Sequence, residues 1–237
     1  MSFQNKNRFR PIFKQFLILR ENVQNRQKLL SFKKNKWKSF LRFYNNKLKP
    51  FKKFKPLDQT KHYVNKYGTR GTSYTKRFRD TLAAGTRFRL FYGSMLRKGL
   101  KRRIKIATKS FKLSEFGFIQ LFERQLDTVL YRAKFASSMR SARQLISHGN
   151  VFVNNEPIKS KTFSLRNGDI ISLHLNCLNL FESHILSSTK WPMPPKHLIV
   201  NYKTLQIAYL GDVKSFNPVN DFSFNLKLQK ILTYYSR

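Results

Sequence analysis

The sequence predicts an α+β fold: a helical region, then two helices packed on a short, mostly antiparallel sheet, with a basic extension in front. Three observations predict it. Apolar residues recur at helical steps over residues 122–133 and again over 142–146. The period then changes to two, between turn residues at Asn154-Asn155 and at Asn167-Gly168-Asp169. Before all of this, residues 1–80 interleave rings and cations with no sustained period.

The extension contains segments such as Lys33-Lys34-Asn35-Lys36-Trp37-Lys38 and Phe51-Lys52-Lys53-Phe54-Lys55. Lysines neutralise phosphates and rings stack on unpaired bases, so the expected state is open by self-repulsion and ordered on a polyanion. An idle solvated tail is one alternative. A helical domain of its own is another, since Phe32, Leu41 and Tyr44 read as a weak helical face. Tyr67 to Thr75, with Gly68 and Gly71, reads as a linker. From Phe88 helical character strengthens, and Leu100-Lys101-Arg102-Arg103-Ile104 gives a helix with a basic face, interrupted by Gly93 and Gly99.

In the next helix Phe122, Leu126, Val129, Leu130 and Ala133 share one face. Arg124, Asp127, Thr128 and Tyr131 fall off it, towards water or a ligand. A break is expected at Phe135-Ala136, with Ser137 or Ser138 capping a second helix through its hydroxyl. That helix turns Ala142, Leu145 and Ile146 inward and Arg140, Arg143, Gln144 and Ser147 outward, and Gly149 ends it. Val151-Phe152-Val153 reads as a strand. After Asp169, Ile171, Leu173, Leu175 and Cys177 alternate with polar residues, as in a half-buried strand. The unit holds about fifty-five residues, near the lower limit for a free-standing domain.

Beyond Leu180, Trp191-Pro192 and Pro194-Pro195 mark a loop. The segments 197–201 and 205–210 are strand-like, and the chain ends in Tyr234-Tyr235-Ser236-Arg237.

Charge narrows the function. Of 237 residues, 48 are Lys or Arg and 11 are Asp or Glu, a net of +37. Residues 1–114 carry 33 of these bases and 3 of the acids, a net of +30. Such a chain repels itself without a polyanion. Nucleic acid fits better than a membrane, because the cations are spread along the chain instead of lining one amphipathic stretch. No apolar run approaches the ~20 residues of a membrane span, and no membrane partner is expected. The cluster Phe16-Leu17-Ile18-Leu19 is too short for a signal-peptide core, and a cleaved presequence is the less favoured reading.

Chemistry-bearing patterns are missing. The five histidines show no paired metal-ligand spacing, and the sequence has neither a glycine-rich phosphate loop nor a nucleophile elbow. No metal, cofactor or catalytic residue is expected. The single cysteine, Cys177, reads as a core-facing strand residue. Asp127, the most conspicuous acid, reads as an internal partner of an arginine or an orienter of the helix pair. His148 stands in a last helical turn, where a structural cap and an RNA contact are equally open.

Residues Leu126-Asp127, Val129-Leu130, Arg132, Phe135, Ser138, Ala142-Arg143-Gln144-Leu145, His148-Gly149, Val151, Val153-Asn154 and Gly168-Asp169-Ile170 resemble the small RNA-binding module named after small-subunit ribosomal protein four. Three positions depart from it. Lys134 and Asn155 stand where the module has glycine, and Gln125 stands where an arginine often precedes Leu-Asp. Looser matches at 88–107, at Pro195-Lys196-His197-Leu198 and at the Tyr-Tyr-Ser-Arg end extend the resemblance to the ribosomal protein family itself.

The resemblance implies an RNA-binding module at 122–184, a helical region at 81–121 completed by the tail 185–237, and the extension 1–80. It implies a structural, non-enzymatic protein that binds and organises small-subunit ribosomal RNA during assembly. Its expected partners are that RNA, neighbouring small-subunit proteins and messenger RNA at the entry site. The residues expected to bind RNA are Arg124, Arg132, Lys134, Arg140, Arg143, Ser147, His148, Asn150, Arg102 and Arg103. Heavy use of Phe, Lys, Asn, Ile and Tyr matches A- and T-rich codons and points to an organellar genome. A mitochondrial ribosome is expected, with a plastid as the alternative, because the long extension departs from the compact plastid form. An RNA-modifying enzyme such as a pseudouridine synthase uses the same module as an accessory and is the second reading. A histone-like nonspecific binder is the third.

Overall fold

The computed structural model describes residues 15, 18–19, 21–24, 35–42, 74–111, 115–175, 178–188, 194–211, 221–222, 224, 226 and 228–236. The chain forms two compact units, residues 1–83 and 84–237. In the first, residues 35–42 are helical. There the Trp37 and Phe40 rings lie 5.4 Å apart and Leu41 is buried. Phe32, Tyr44 and the basic run at 51–55 lie outside the described residues, as does the expected linker up to residue 73; its last two residues open a helix.

That helix, α1 (Tyr74–Phe91), is followed by α2 (Arg97–Phe111). One helix with a basic face was expected here; the helix instead breaks at a turn through Gly93 and Ser94, with φ of 76° and 59°. Gly99 stays inside α2. Next comes α3 (Glu115–Glu123), which packs aromatic residues against α1. Phe88 stacks on Phe118 at 5.3 Å and meets Phe122 edge-on at 5.0 Å. Ring pairs in these orientations add to the area they bury.

The expected helix over 122–133 is broken. Gln125 is extended, with φ −81° and ψ 136°, and α4 (Leu126–Arg132) starts after it. The break has a partner: the Leu165 N–H bonds to the Arg124 carbonyl at 2.8 Å and the Leu126 N–H to the Phe163 carbonyl at 3.1 Å. Periodicity within one segment cannot reveal a bridge to a segment forty residues on. The faces expected of this helix also need correction, since Asp127 and Thr128 are buried.

At the end of α4 Lys134 has φ 70°, the left-handed conformation that the module's usual glycine would take, and Asn155 has φ 71° in the following turn. Both departures from glycine therefore keep the backbone that glycine favours. Ser138 caps α5 (Met139–Ser147), its Oγ accepting from the Ser141 N–H at 3.2 Å. The apolar residues expected on α5 face inward, Ala142 and Ile146 fully and Leu145 nearly so.

The sheet contains β1 (Val151–Val153), β2 (Glu156–Pro157), β3 (Ile170–Leu173), β4 (Leu198–Asn201) and β5 (Gln206–Tyr209). Its order is β2-β1-β3-β5-β4, and every neighbouring pair is antiparallel. The two turns grip each other: the Asn154 amide bonds the Ile170 N–H at 3.0 Å and Asp169 Oδ1 at 3.1 Å. β3 is shorter than expected, because Leu175 is 69% exposed; Cys177 lies outside the described residues. A helix, α6 (Leu178–Ser188), follows and brings Phe181 edge-on to Phe135 at 5.8 Å.

Residues 185–237 contribute in two places. β4 and β5 widen the sheet, while α7 (Leu228–Ser236) packs on α2. Tyr235 of α7 lies over Gly85 of α1, where a Cβ would stand 2.9 Å from its ring. Among the described residues no helix is long and apolar enough to cross a membrane.

Candidate nucleic-acid interface

The outward side of α5 carries Arg140, Gln144, Ser147 and His148, all exposed. This follows from the apolar spacing, which commits Ala142, Leu145 and Ile146 to the sheet. The Ser147 hydroxyl donates to the Gln144 carbonyl at 2.9 Å. His148 is the C-cap, its backbone N–H bonded to the Gln144 carbonyl and its ring in water. Asn150 is half-buried at the mouth of β1 and uses its backbone within the fold, donating to Leu145 and accepting from His174.

On α2, Leu100, Ile104 and Ala107 turn inward, so Arg97, Lys98, Lys101, Arg102, Lys105 and Lys109 are left exposed. Only Arg102 of these was anticipated as an RNA contact. The others were readable, since cations opposite that apolar stripe recur at three- and four-residue steps. Lys159, Lys161 and Arg166 add exposed charge between β2 and β3.

Other anticipated contacts have internal partners. Arg132 is the clearest correction. It is 3% exposed and pairs with the buried Glu123, Nη2 to Oε1 at 2.8 Å and Nε to Oε2 at 3.1 Å. Its Nη1 donates to the Asp221 carbonyl, and its guanidinium lies 4.8 Å from the centres of both the Phe91 and Phe222 rings. A side chain so enclosed has no face for phosphate. Burial alone would raise the Glu123 carboxyl, but Arg132 beside it holds it below the ordinary carboxylate value. Tyr92 donates to the same carboxylate, and burial together with that negative charge pushes its phenol well up. Burial works to depress Arg132, yet Glu123 raises it overall.

Arg143 is about one-third exposed. Its Nε bonds Asp127 Oδ2 at 2.8 Å, while Nη1 and Nη2 reach the carbonyls of Gly93 and Tyr92 at 3.3 Å. Asp127 therefore does pair an arginine, as its sequence context suggested, and through it ties the helix pair to the turn between α1 and α2. Arg103 donates to Gln125 Oε1 at 2.9 Å and covers the Phe122 ring at 4.6 Å. Arg124 is half-buried, with its Nε enclosed and without a hydrogen-bond partner. Lys134 is half-buried, and burial, aided by Arg132, pushes its amine down to about 8. Among the described residues no group of three His, Cys, Asp or Glu side chains is placed to hold a metal.

Two short helices seated on a small antiparallel sheet, with cations turned to solvent, define an S4 RNA-binding domain, and residues 124–171 match the S4 domain model. The protein uS4m of Marchantia polymorpha is 37% identical over 51% of this chain and 62% of its own length. The uS4m of Reclinomonas americana is 28% identical over 85% of this chain and 87% of its own. The uS4 of Gloeobacter violaceus is 32% identical over 62% of this chain and 68% of its own. The chain belongs to the small ribosomal subunit protein uS4 family. These relatives are ribosomal proteins, and the reading as an RNA-modifying enzyme finds no support among them. Mitochondrial and plastid forms both occur among the relatives, so an organellar setting is supported at that coarser level.

Proposed function

We propose that this chain is a structural constituent of the small subunit of a mitochondrial ribosome, where it binds and organises small-subunit ribosomal RNA during assembly. The observation that carries the reading is the row of exposed cations on α2, together with Arg140 and His148 on α5, in a member of the uS4 family. Phosphate contacts from such a surface fix position and orientation more than they read sequence. The affinity they give derives from counterion release and falls with salt. Within the family pattern the partners are the RNA, adjoining small-subunit proteins and messenger RNA at the entry site, and the basic extension 1–80 joins the RNA-bound surface. The mitochondrion is preferred to the plastid because the long extension departs from the compact plastid form, and the uS4m of Reclinomonas americana aligns over 85% of this chain.

The test is cofractionation. Tagged full-length protein from isolated mitochondria is run on sucrose gradients, beside a plastid fraction where the cell has one. Sedimentation with mitochondrial small subunits is expected. Recovery with plastid subunits alone overturns the organelle, and recovery away from every ribosomal particle overturns the function.

A further inference from the structure

Two arginines converge on the start of α4, Arg103 from α2 on Gln125 and Arg143 from α5 on Asp127, and Arg124 stands beside Gln125 in the chain. Arg103 reaches across from α2 to Gln125, which precedes α4. Arg124 is the neighbour of that glutamine in sequence, with its Nε enclosed and without a hydrogen-bond partner. Arg143 comes from α5, held by Asp127 on one side and by the carbonyls of Tyr92 and Gly93 on the other. Their charges act on one another: burial depresses the Arg103 guanidinium, Asp127 opposes this, and Arg143 and Arg124 push it further down.

Arg143 is held by Asp127, while Arg103 and Arg124, both half-buried nearby, show no carboxylate bonded to them among the described residues. Arginine does not lose its proton to relieve such crowding, so the relief is an added anion. A guanidinium offers five N–H donors in a planar fork that matches phosphate oxygens. Arg103 shows one of these used in hydrogen bonding to a side chain, which leaves donors for a ligand.

We propose that Arg103, Arg124 and Arg143 form a single seat for one phosphodiester group of the RNA, which clamps α2 to the helix pair when occupied. The inference rests on the RNA-binding reading and deepens it. The seat differs from the exposed rows of α2 and α5 because several arginines serve one phosphate, so its occupancy joins two parts of the fold. Asp127 holds Arg143 in place before the ligand arrives.

The test uses the full chain and a transcript of its own small-subunit ribosomal RNA, with affinity measured against salt. The logarithmic salt slope counts phosphates neutralised, about 0.7 to 0.9 for each, and does not count arginines. The double variant Arg103→Gln/Arg124→Gln should lose about one phosphate's worth of slope in total. Addition of Arg140→Ala, on the separate exposed side of α5, should remove about one more. An unchanged slope in the double variant overturns the seat, as does a loss of about two, which would mean one phosphate for each arginine.

A second measurement needs no variant. In wild-type protein titrated with inorganic phosphate, the Nε–Hε NMR signals of Arg103, Arg124 and Arg143 should shift together with one midpoint while that of Arg140 stays behind. Independent midpoints, or no shift, overturn the proposal. Should wild type show no salt-dependent binding to the transcript, the RNA-binding reading itself fails; retained binding with an unaltered slope in the double variant removes the seat alone.

Discussion

Arg132 grips Glu123, nine residues earlier, with two nitrogens at 2.8 and 3.1 Å, and neither side chain reaches water. The pair joins α4 to the end of α3. Tyr92 adds the end of α1 through its hydroxyl, while Asp221 and Phe222 add the C-terminal segment. His197 stands 3.8 Å from the same carboxylate, too far to bond. One ion pair thus connects segments more than a hundred residues apart in sequence.

Removal of one partner from this pair should be costly. Glu123→Ala leaves a buried guanidinium without its counter-charge, a change that typically costs about 3–5 kcal/mol. Replacement of both partners, as Glu123→Met/Arg132→Met, should cost less, since well-packed apolar side chains often substitute for a buried pair with little penalty. Chemical denaturation of the full chain checks both. Equal losses in the single and double variants would show that the charge pairing is not what matters.

Acid should destabilise the protein through two buried groups. Burial, with a smaller push from Arg132, lowers His197 below its ordinary 6.5 despite Glu123. The unfolded chain therefore takes up a proton first, and stability falls as pH drops from 6.5 towards the folded value. Glu123 is likewise held below its ordinary 4.5, so its contribution is present above 4.5 and is lost as pH falls through the lower folded value. Both groups act in the same direction. His197→Phe should flatten the decline that begins as pH drops below 6.5. A melting temperature whose decline between pH 6.5 and 5 is the same in that variant would exclude His197.

Gly93 and Gly168 both take the left-handed conformation, with φ of 76° and 89°. A Cβ at Gly168 meets nothing within 4 Å, whereas one at Gly93 would lie 2.7 Å from the Arg143 guanidinium. Alanine at either site carries the backbone strain, about 1–2 kcal/mol, but only Gly93→Ala must displace Arg143. Gly93→Ala should therefore be the more destabilising. The excess should vanish in an Arg143→Met background, as a double-mutant cycle can measure.

Much of the helix pair, β1 and β3 was legible because its signals are local, whereas the two-residue β2 was not anticipated. Ser138 and Gly149 bound one helix by short-range capping chemistry. Ala142, Leu145 and Ile146 were placed by spacing alone, and Leu145→Ala should cost about 2–5 kcal/mol in the full chain. A melting temperature within a degree of wild type would mean that Leu145 does not pack as its burial implies. The failures were non-local. Arg132 reads as a surface cation until Phe91 and Phe222 cover it from opposite ends of the unit. Asp127 and Thr128 read as off-face until α5 and the α1–α2 turn close over them. β4 and β5 read as isolated strand-like pieces, because nothing within 197–210 says that β5 will pair with β3. Arg140 was rightly turned outward by the same local period that misplaced Arg132.

Lys134 provides a prediction with opposite signs for stability and for RNA binding. Burial, then Arg132, lowers its amine from 10.5 to about 8 in the folded chain. Between about pH 8 and 10.5 the unfolded chain binds the extra proton, so the stability of the free protein should rise with pH there. A phosphate beside Lys134 would favour the charged form and raise its pKa in the complex. Binding then takes up a proton, and affinity should fall as pH climbs past 8, with a limiting slope of about one decade per pH unit from a single group. Lys134→Arg keeps its charge throughout this range and should bind with a flatter profile. Affinity for the ribosomal RNA transcript, measured from about pH 7 to 9 at constant salt, checks the idea before ordinary lysines with pKa near 10.4 begin to titrate. A wild-type profile as flat as that of Lys134→Arg would place Lys134 away from the RNA, held in its left-handed turn for the backbone alone.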